Sequence, residues 1–187
     1  MAVINVICDD RMIDRQLPLL EELIRQKAPY ILWPIVEDKN SVVASINKSH
    51  KQIVAFAKKQ NLPEILIGED DLCFPATDGY QYFIKNKPQY YDLYIAGSYL
   101  PIEHNPYPHA TSVVGFHLYF VHSRYYDRYL SLPDDGHIDQ LQDGSTCEIK
   151  VCYPFAAIQR PGWSSNNRAA VNYNNQLKAE DVYGKFK

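Results

Sequence analysis

Three consecutive acids, Glu69-Asp70-Asp71, follow directly on the apolar run Ile65-Leu66-Ile67 and Gly68. Adjacent like charges repel unless solvent or a cation relieves them. In an extended chain Glu69 and Asp71 point one way and Asp70 the other. Two hard oxygen donors on one side suit Mg²⁺ or Mn²⁺, which bind through one or two carboxylates completed by phosphate oxygens. Taken alone, the triplet reads first as an acidic turn capping the next helix. Its position after an apolar strand adds weight to the cation reading, because ligands of open α/β sheets sit beyond the carboxyl ends of strands. A second acidic pair, Asp9-Asp10, follows the first apolar run in the same way, whereas Asp134-Asp135 lies in a Pro-Asp-Asp-Gly turn.

Other chemistries find little support. The six His form no HxH or HExxH pattern, and Cys8, Cys73, Cys147 and Cys152 form no CxxC pair or zinc-like spacing. No Walker-type glycine loop is present, which counts against a P-loop enzyme but not against a metal-dependent nucleotidyltransferase. Four unpaired cysteines fit reduced, packed thiols and a cytoplasmic location.

The elements that would position the acids follow from periodicity. Val3–Ile7, Tyr30–Val36, Glu64–Gly68, Asp92–Ala96, Gly115–Val121 and Glu148–Ile158 read as strands, with Pro34 marking an edge. Residues 13–27, 45–60, 79–87 and 123–132 read as helices, and 138–142 opens another. Ile13, Leu17, Leu20 and Ile24 share one helical face, expected to be the buried one. Alternating strands and helices predict a single-domain α/β fold built on a layered sheet.

The chain has 187 residues, 46% of them hydrophobic, so one domain with a sizeable core is expected and disorder is not. A net charge of −3 argues against phosphate-neutralising nucleic-acid binding. No segment has the length of a membrane span or the pattern of a signal peptide. Residues 160–187 differ, holding five Asn and a local charge of +3, and read as a disordered tail or a flap over a ligand. Eleven of the fifteen Tyr lie between Tyr80 and Tyr129, as a saccharide-facing wall or as ordinary strand residues.

Read in order, several short motifs resemble one family. They are Asp14-Arg15, Ser49-His50, ILIGEDD at 65–71, Asp92–Gly97 with Ala96 where Leu is usual, GFHLYFVHS at 115–123, Ile138-Asp139-Gln140, and Tyr153-Pro154 with Gln159. Together they resemble GT-A-fold glycosyltransferases of the group containing bacterial lipopolysaccharide galactosyltransferases and collagen galactosyltransferases. The chain departs from that pattern at Ser164-Ser165-Asn166, where the family has Ser-Asp-Ile.

The resemblance implies a GT-A-like, Rossmann-type mixed sheet over residues 1–160, followed by a polar tail or flap at 161–187. It implies inverting transfer of a sugar from a nucleotide-diphosphate sugar, a UDP-sugar foremost, to the hydroxyl of a saccharide or glycoconjugate acceptor. Surface polysaccharide or glycoconjugate synthesis is the expected setting. Glu69 and Asp71 would hold Mn²⁺ or Mg²⁺, while Asp9, Arg15, His50 and Asp70 would face the donor. Asp139 would take the acceptor's proton, or serve only as a helix-start acid. A metal-dependent nucleotidyltransferase and a non-catalytic carbohydrate-binding domain are the alternatives.

Overall fold

A computed structural model describes residues 2–104, 107–164 and 166–184. The first half alternates as its periodicity predicts: β1 (Ile4–Cys8), α1 (Ile13–Arg25), β2 (Tyr30–Pro34), α2 (Val42–Lys59) and β3 (Glu64–Glu69). A short β4 (Leu72–Cys73) precedes α3 (Gly79–Lys85), β5 (Leu93–Ile95), β6 (Leu118–His122) and α4 (Tyr126–Ser131). Then come β7 (Ile149–Val151), β8 (Ile158–Gln159), β9 (Gly162–Ser164) and β10 (Ala169–Val171).

Six strands form one mixed sheet in the order β2-β1-β3-β6-β5-β7. β2, β1 and β3 run parallel, with Ile4 opposite both Tyr30 and Leu66. β6 is antiparallel to β3 and β5, and β7 is parallel to β5. The fold is a single α/β domain, with helices on both faces. α2 and α4 cover Ile7, Ile65, Ile67, Tyr119 and Val121 on one side. Leu19 and Leu23 of α1 and Phe83 of α3 cover Ile4, Val6, Leu66 and Phe120 on the other.

Local chemistry fixes these elements. Ser41 caps α2, its Oγ accepting from the Ala44 N–H at 3.1 Å. Ser49, near the middle of α2, accepts from the Val36 N–H at 2.8 Å and so ties down the chain leaving β2. Asn5 sits inside the sheet because its amide is satisfied by the Leu66 carbonyl and the Trp33 indole. Its buried neighbours would otherwise make that amide costly.

Three expectations are corrected here. α1 buries Leu19, Glu22 and Leu23, whereas Ile13, Leu17 and Ile24 are 59–69% exposed. The face that wins contains an acid because Glu22 accepts from Arg25, Gln26 and the Phe74 N–H. Polar partners at β4 therefore outweigh the apolar stripe in setting the helix's rotation. Residues 138–142 are successive turns rather than a helix, held by Leu141 N–H to His137 and Gln142 N–H to Asp139 carbonyls. The expected strand 148–158 divides into β7 and β8, with the chain leaving the main sheet at Cys152 and β8 pairing instead with β4.

Candidate active site

The carboxyl ends of the parallel strands β1 and β3 open into a cleft of about 410 Å³, a volume in the range of small-molecule sites. Every residue singled out from sequence lines it: Asp9, Arg15, His50, Glu69, Asp70, Asp71 and Asp139. β1 delivers Asp9 and β3 delivers the triplet, while α1 brings Arg15, α2 brings His50, and the 138–142 turns bring Asp139. One wall is apolar, with Ile7, Ile35, Val42, Ile46 and Phe116.

Strict alternation does not hold in the triplet. Asp70 and Asp71 form the turn between β3 and β4, so both carboxylates meet Arg15. The Arg15 guanidinium lies 2.5 Å from Asp70 Oδ1 and 3.0 Å from Asp71 Oδ2. The turn is pinned from the far side of the sequence. Gln159 on β8 donates to Asp71 Oδ2 at 2.5 Å, and the Arg160 N–H donates to the Asp71 carbonyl at 2.6 Å.

Burial dominates the electrostatics. It pushes Asp71 up to about 7, aided by the Glu69 charge and opposed by Arg15. Asp70 rises to about 6 for the same first reason, again opposed by Arg15. Burial also acts on Glu69, but the His50 hydrogen bond and the His50, His117 and Arg15 charges hold it below the ordinary carboxylate value. Asp9 is held low chiefly by Arg11, whose Nε and Nη2 donate to it at 2.8 Å.

No group of three His, Cys, Asp or Glu forms a ready-made metal cage among the described residues. The donor set nonetheless fits a hard cation shared with a phosphate. Asp71 Oδ1 is buried and meets no hydrogen-bond donor among the described residues, and Glu69 stands in the same cleft. A buried, unpartnered carboxylate oxygen is unfavourable unless something electropositive completes it.

Asp139 sits across from the triplet. Its Oδ2 accepts from the Gly115 N–H at 2.9 Å and its Oδ1 from the Gln140 N–H at 2.8 Å. Gly115 has φ +103°, a region that favours glycine, so this hydrogen bond holds an unusual loop conformation beside the cleft. Burial raises the Asp139 carboxyl, with the Gly115 N–H opposing.

Residues given no site role from sequence come mainly from the C-terminal segment, among them Gln159, which the sequence marks only as part of the Tyr-Pro…Gln motif. Gln159, Ser164, Asn166, Asn167 and Tyr173 line the cleft, as do Arg11 and His137. Asn174 fastens the segment, donating to the Gln159 carbonyl and accepting from the Tyr99 hydroxyl, both at 3.0 Å. The Asn-rich composition after residue 160 was the available signal. Ser165, part of the departure from the family pattern, lies outside the described residues. None of the tyrosines between Tyr80 and Tyr129 lines the cleft; Tyr80, Tyr91, Tyr94, Tyr99, Tyr119, Tyr125, Tyr126 and Tyr129 are core.

No helix among the described residues is long and apolar enough to cross a membrane. No protein-family model matches the chain, and no curated protein is similar to it in sequence. Solved structures superpose on it to differing extents. A197 from STIV superposes with a TM-score of 0.51 at 12% identity, covering 91% of this chain and 93% of that one. HddC from Yersinia pseudotuberculosis gives a TM-score of 0.46 at 12% identity over 81% and 89% of the two chains. A Drosophila β1,4-galactosyltransferase 7 mutant, solved with manganese, UDP-Gal and xylobiose, gives 0.46 at 15% identity over 81% and 65%.

Proposed function

We propose that this protein is a metal-dependent glycosyltransferase that moves a sugar from a nucleotide-diphosphate sugar, a UDP-sugar foremost, to an acceptor hydroxyl. The observation that carries this reading is the convergence of Asp9, the triplet and Asp139 on one cleft beyond β1 and β3, with a buried Asp71 oxygen lacking a donor. Residues 1–160 are the catalytic unit in this reading, and 161–187 form a flap on the donor side. Surface polysaccharide or glycoconjugate synthesis is its proposed setting.

Glu69 and Asp71 would hold Mn²⁺ or Mg²⁺, which when bound supplies Lewis-acid stabilisation of the charge developing on the departing diphosphate. Arg15, already facing Asp70 and Asp71, adds a fixed positive charge at the same place. The apolar wall of Ile7, Ile35, Val42 and Ile46 excludes water from the donor's base side. Asp139 takes the proton of the acceptor hydroxyl as that hydroxyl's oxygen displaces the diphosphate in one step, which inverts the anomeric carbon. Burial makes the Asp139 carboxylate a stronger base than an ordinary aspartate.

Thermal unfolding of metal-stripped protein tests the reading, with Mn²⁺ alone, UDP alone, and both. UDP with Mn²⁺ is expected to raise the midpoint beyond either alone, because ligands that bind only the folded state stabilise it by mass action. No shift with any nucleoside diphosphate, with or without metal, sinks the transferase reading. A shift with nucleoside triphosphates but not with UDP moves the protein to the nucleotidyltransferases.

The flap has its own test. UDP and Mn²⁺ together are expected to slow proteolytic cleavage between residues 160 and 184. Equal cleavage with and without them removes the flap from the donor site.

A further inference from the structure

Two motifs far apart in sequence, Ser49-His50 on α2 and GFHLYFVHS around β6, meet inside the core in a line of hydrogen bonds. His50 Nε2 lies 3.1 Å from Glu69 Oε1. Its Nδ1 lies 2.7 Å from the Tyr119 hydroxyl, which in turn lies 2.7 Å from the Tyr129 hydroxyl. His50 is 1% exposed and both tyrosines 0%; His50 and Glu69 line the cleft, and the two tyrosines lie behind them in the core.

We propose that Tyr119, backed by Tyr129, is a positioning residue that fixes the His50 ring and through it aims the Glu69 carboxylate at the bound cation. This rests on the reading of Glu69 as part of a divalent-cation site. An ionised carboxylate only accepts hydrogen bonds, so His50 Nε2 carries the proton shared with Glu69. In the neutral imidazole Nδ1 is then an acceptor, and Tyr119 donates to it. The Tyr119 oxygen is left to accept, and Tyr129 donates.

In this tautomer the line runs from Tyr129 through Tyr119 and His50 to Glu69, and each contact along it pairs a donor with an acceptor. A buried polar group without its partner is costly, so the order is held firmly. Phe116, which lines the cleft, stacks on Tyr119 at 4.0 Å between centroids and fixes the phenol from the other side.

The Tyr119 hydroxyl makes its hydrogen bonds only within this line. Both ring nitrogens of His50 are engaged in the line. Partners that orient metal ligands in this way typically change metal affinity by about 10–100-fold when removed.

The experiment measures Mn²⁺ affinity in the presence of UDP, from the electron paramagnetic resonance signal of free Mn²⁺, beside the thermal midpoint. Tyr119→Phe is expected to weaken Mn²⁺ binding by about 10–100-fold. Tyr125→Phe is the control, because it also deletes a buried hydroxyl, one bonded to Gln142 at 2.8 Å outside the line. It is expected to lower the midpoint similarly and leave Mn²⁺ affinity unchanged. His50→Gln, which keeps a donor where Nε2 stood, is expected to recover much of the affinity lost in His50→Ala.

Equal Mn²⁺ affinity in wild type and Tyr119→Phe overturns the positioning role while leaving the metal site standing. Parallel losses in Tyr119→Phe and Tyr125→Phe overturn it too, as general loosening of the core. Wild-type protein that binds no Mn²⁺ with or without UDP overturns the metal reading first, and this proposal with it.

Discussion

Asp71→Asn is expected to abolish the Mn²⁺-dependent part of the stabilisation by UDP while raising the midpoint of the metal-free protein. The two effects have one cause. Asp71 is buried beside Glu69 and Asp70, and its carboxyl is pushed up to about 7. A carboxylate whose folded pKa exceeds its unfolded value loses stability as pH rises through the folded value. Metal-free wild type should therefore weaken between about pH 4 and pH 8, and the asparagine variant should lack that part of the slope. Each pKa unit corresponds to about 1.4 kcal/mol, so the difference at pH 8 is on the order of 2–4 kcal/mol. Arg15 recovers only part of the cost because it is shared with Asp70. Calorimetry of chelator-treated protein across pH 5–8, repeated with Mn²⁺ and UDP, measures both effects. Full Mn²⁺ stabilisation in Asp71→Asn would remove Asp71 from the metal site. Identical metal-free pH profiles would show that the carboxylate is not held at a cost.

Such a residue is legible in sequence only in part. The apolar strand ending in Glu69-Asp70-Asp71 told where the charge lies, because strand ends in open α/β sheets face the ligand side. It could not tell that Asp70 and Asp71 share a turn. That turn is closed by Gln159 and Arg160, which are 88 residues or more away and carry no local sign of this contact. Strand and helix periods were strong through α2 and β3, where each element buries an apolar face against the sheet. They failed on α1, where Glu22 and Gln26 find specific partners at Phe74 and Ala76 that no period encodes. They failed again after β7, where the chain leaves the sheet for a separate pairing with β4. The tyrosines were countable but not placeable, since a buried phenol and a sugar platform have the same sequence signature. Seven candidate side chains from five places in the sequence nevertheless reach one cleft. Their convergence depends on the parallel pairing of β1 with β3 and on the Ser49 contact that draws α2 against the end of β2.

Asp139→Asn should leave UDP and Mn²⁺ binding intact while lowering sugar transfer by at least about a hundredfold, the scale of general-base catalysis. Two roles compete for this residue, and the substitution separates them. As a tether, Asp139 accepts from the Gly115 N–H and keeps the loop at φ +103° in place beside the cleft. An asparagine side-chain oxygen accepts the Gly115 hydrogen bond, so the tether survives the change, at the expense of the one from the Gln140 N–H. As a base, Asp139 needs a carboxylate that can hold a proton, and an amide cannot do so. Asp139→Ala should lose the tether as well, with a lower thermal midpoint besides the loss of transfer. In wild type, transfer should fall as the pH drops and the carboxyl protonates. Because burial raises that carboxyl, the fall should begin above the ordinary aspartate range. The acid limb should be absent from whatever residual rate Asp139→Asn retains. Undiminished transfer in Asp139→Asn would leave Asp139 as the loop tether alone, and the proton would have to go to another group lining the cleft, with His137 next to be tested.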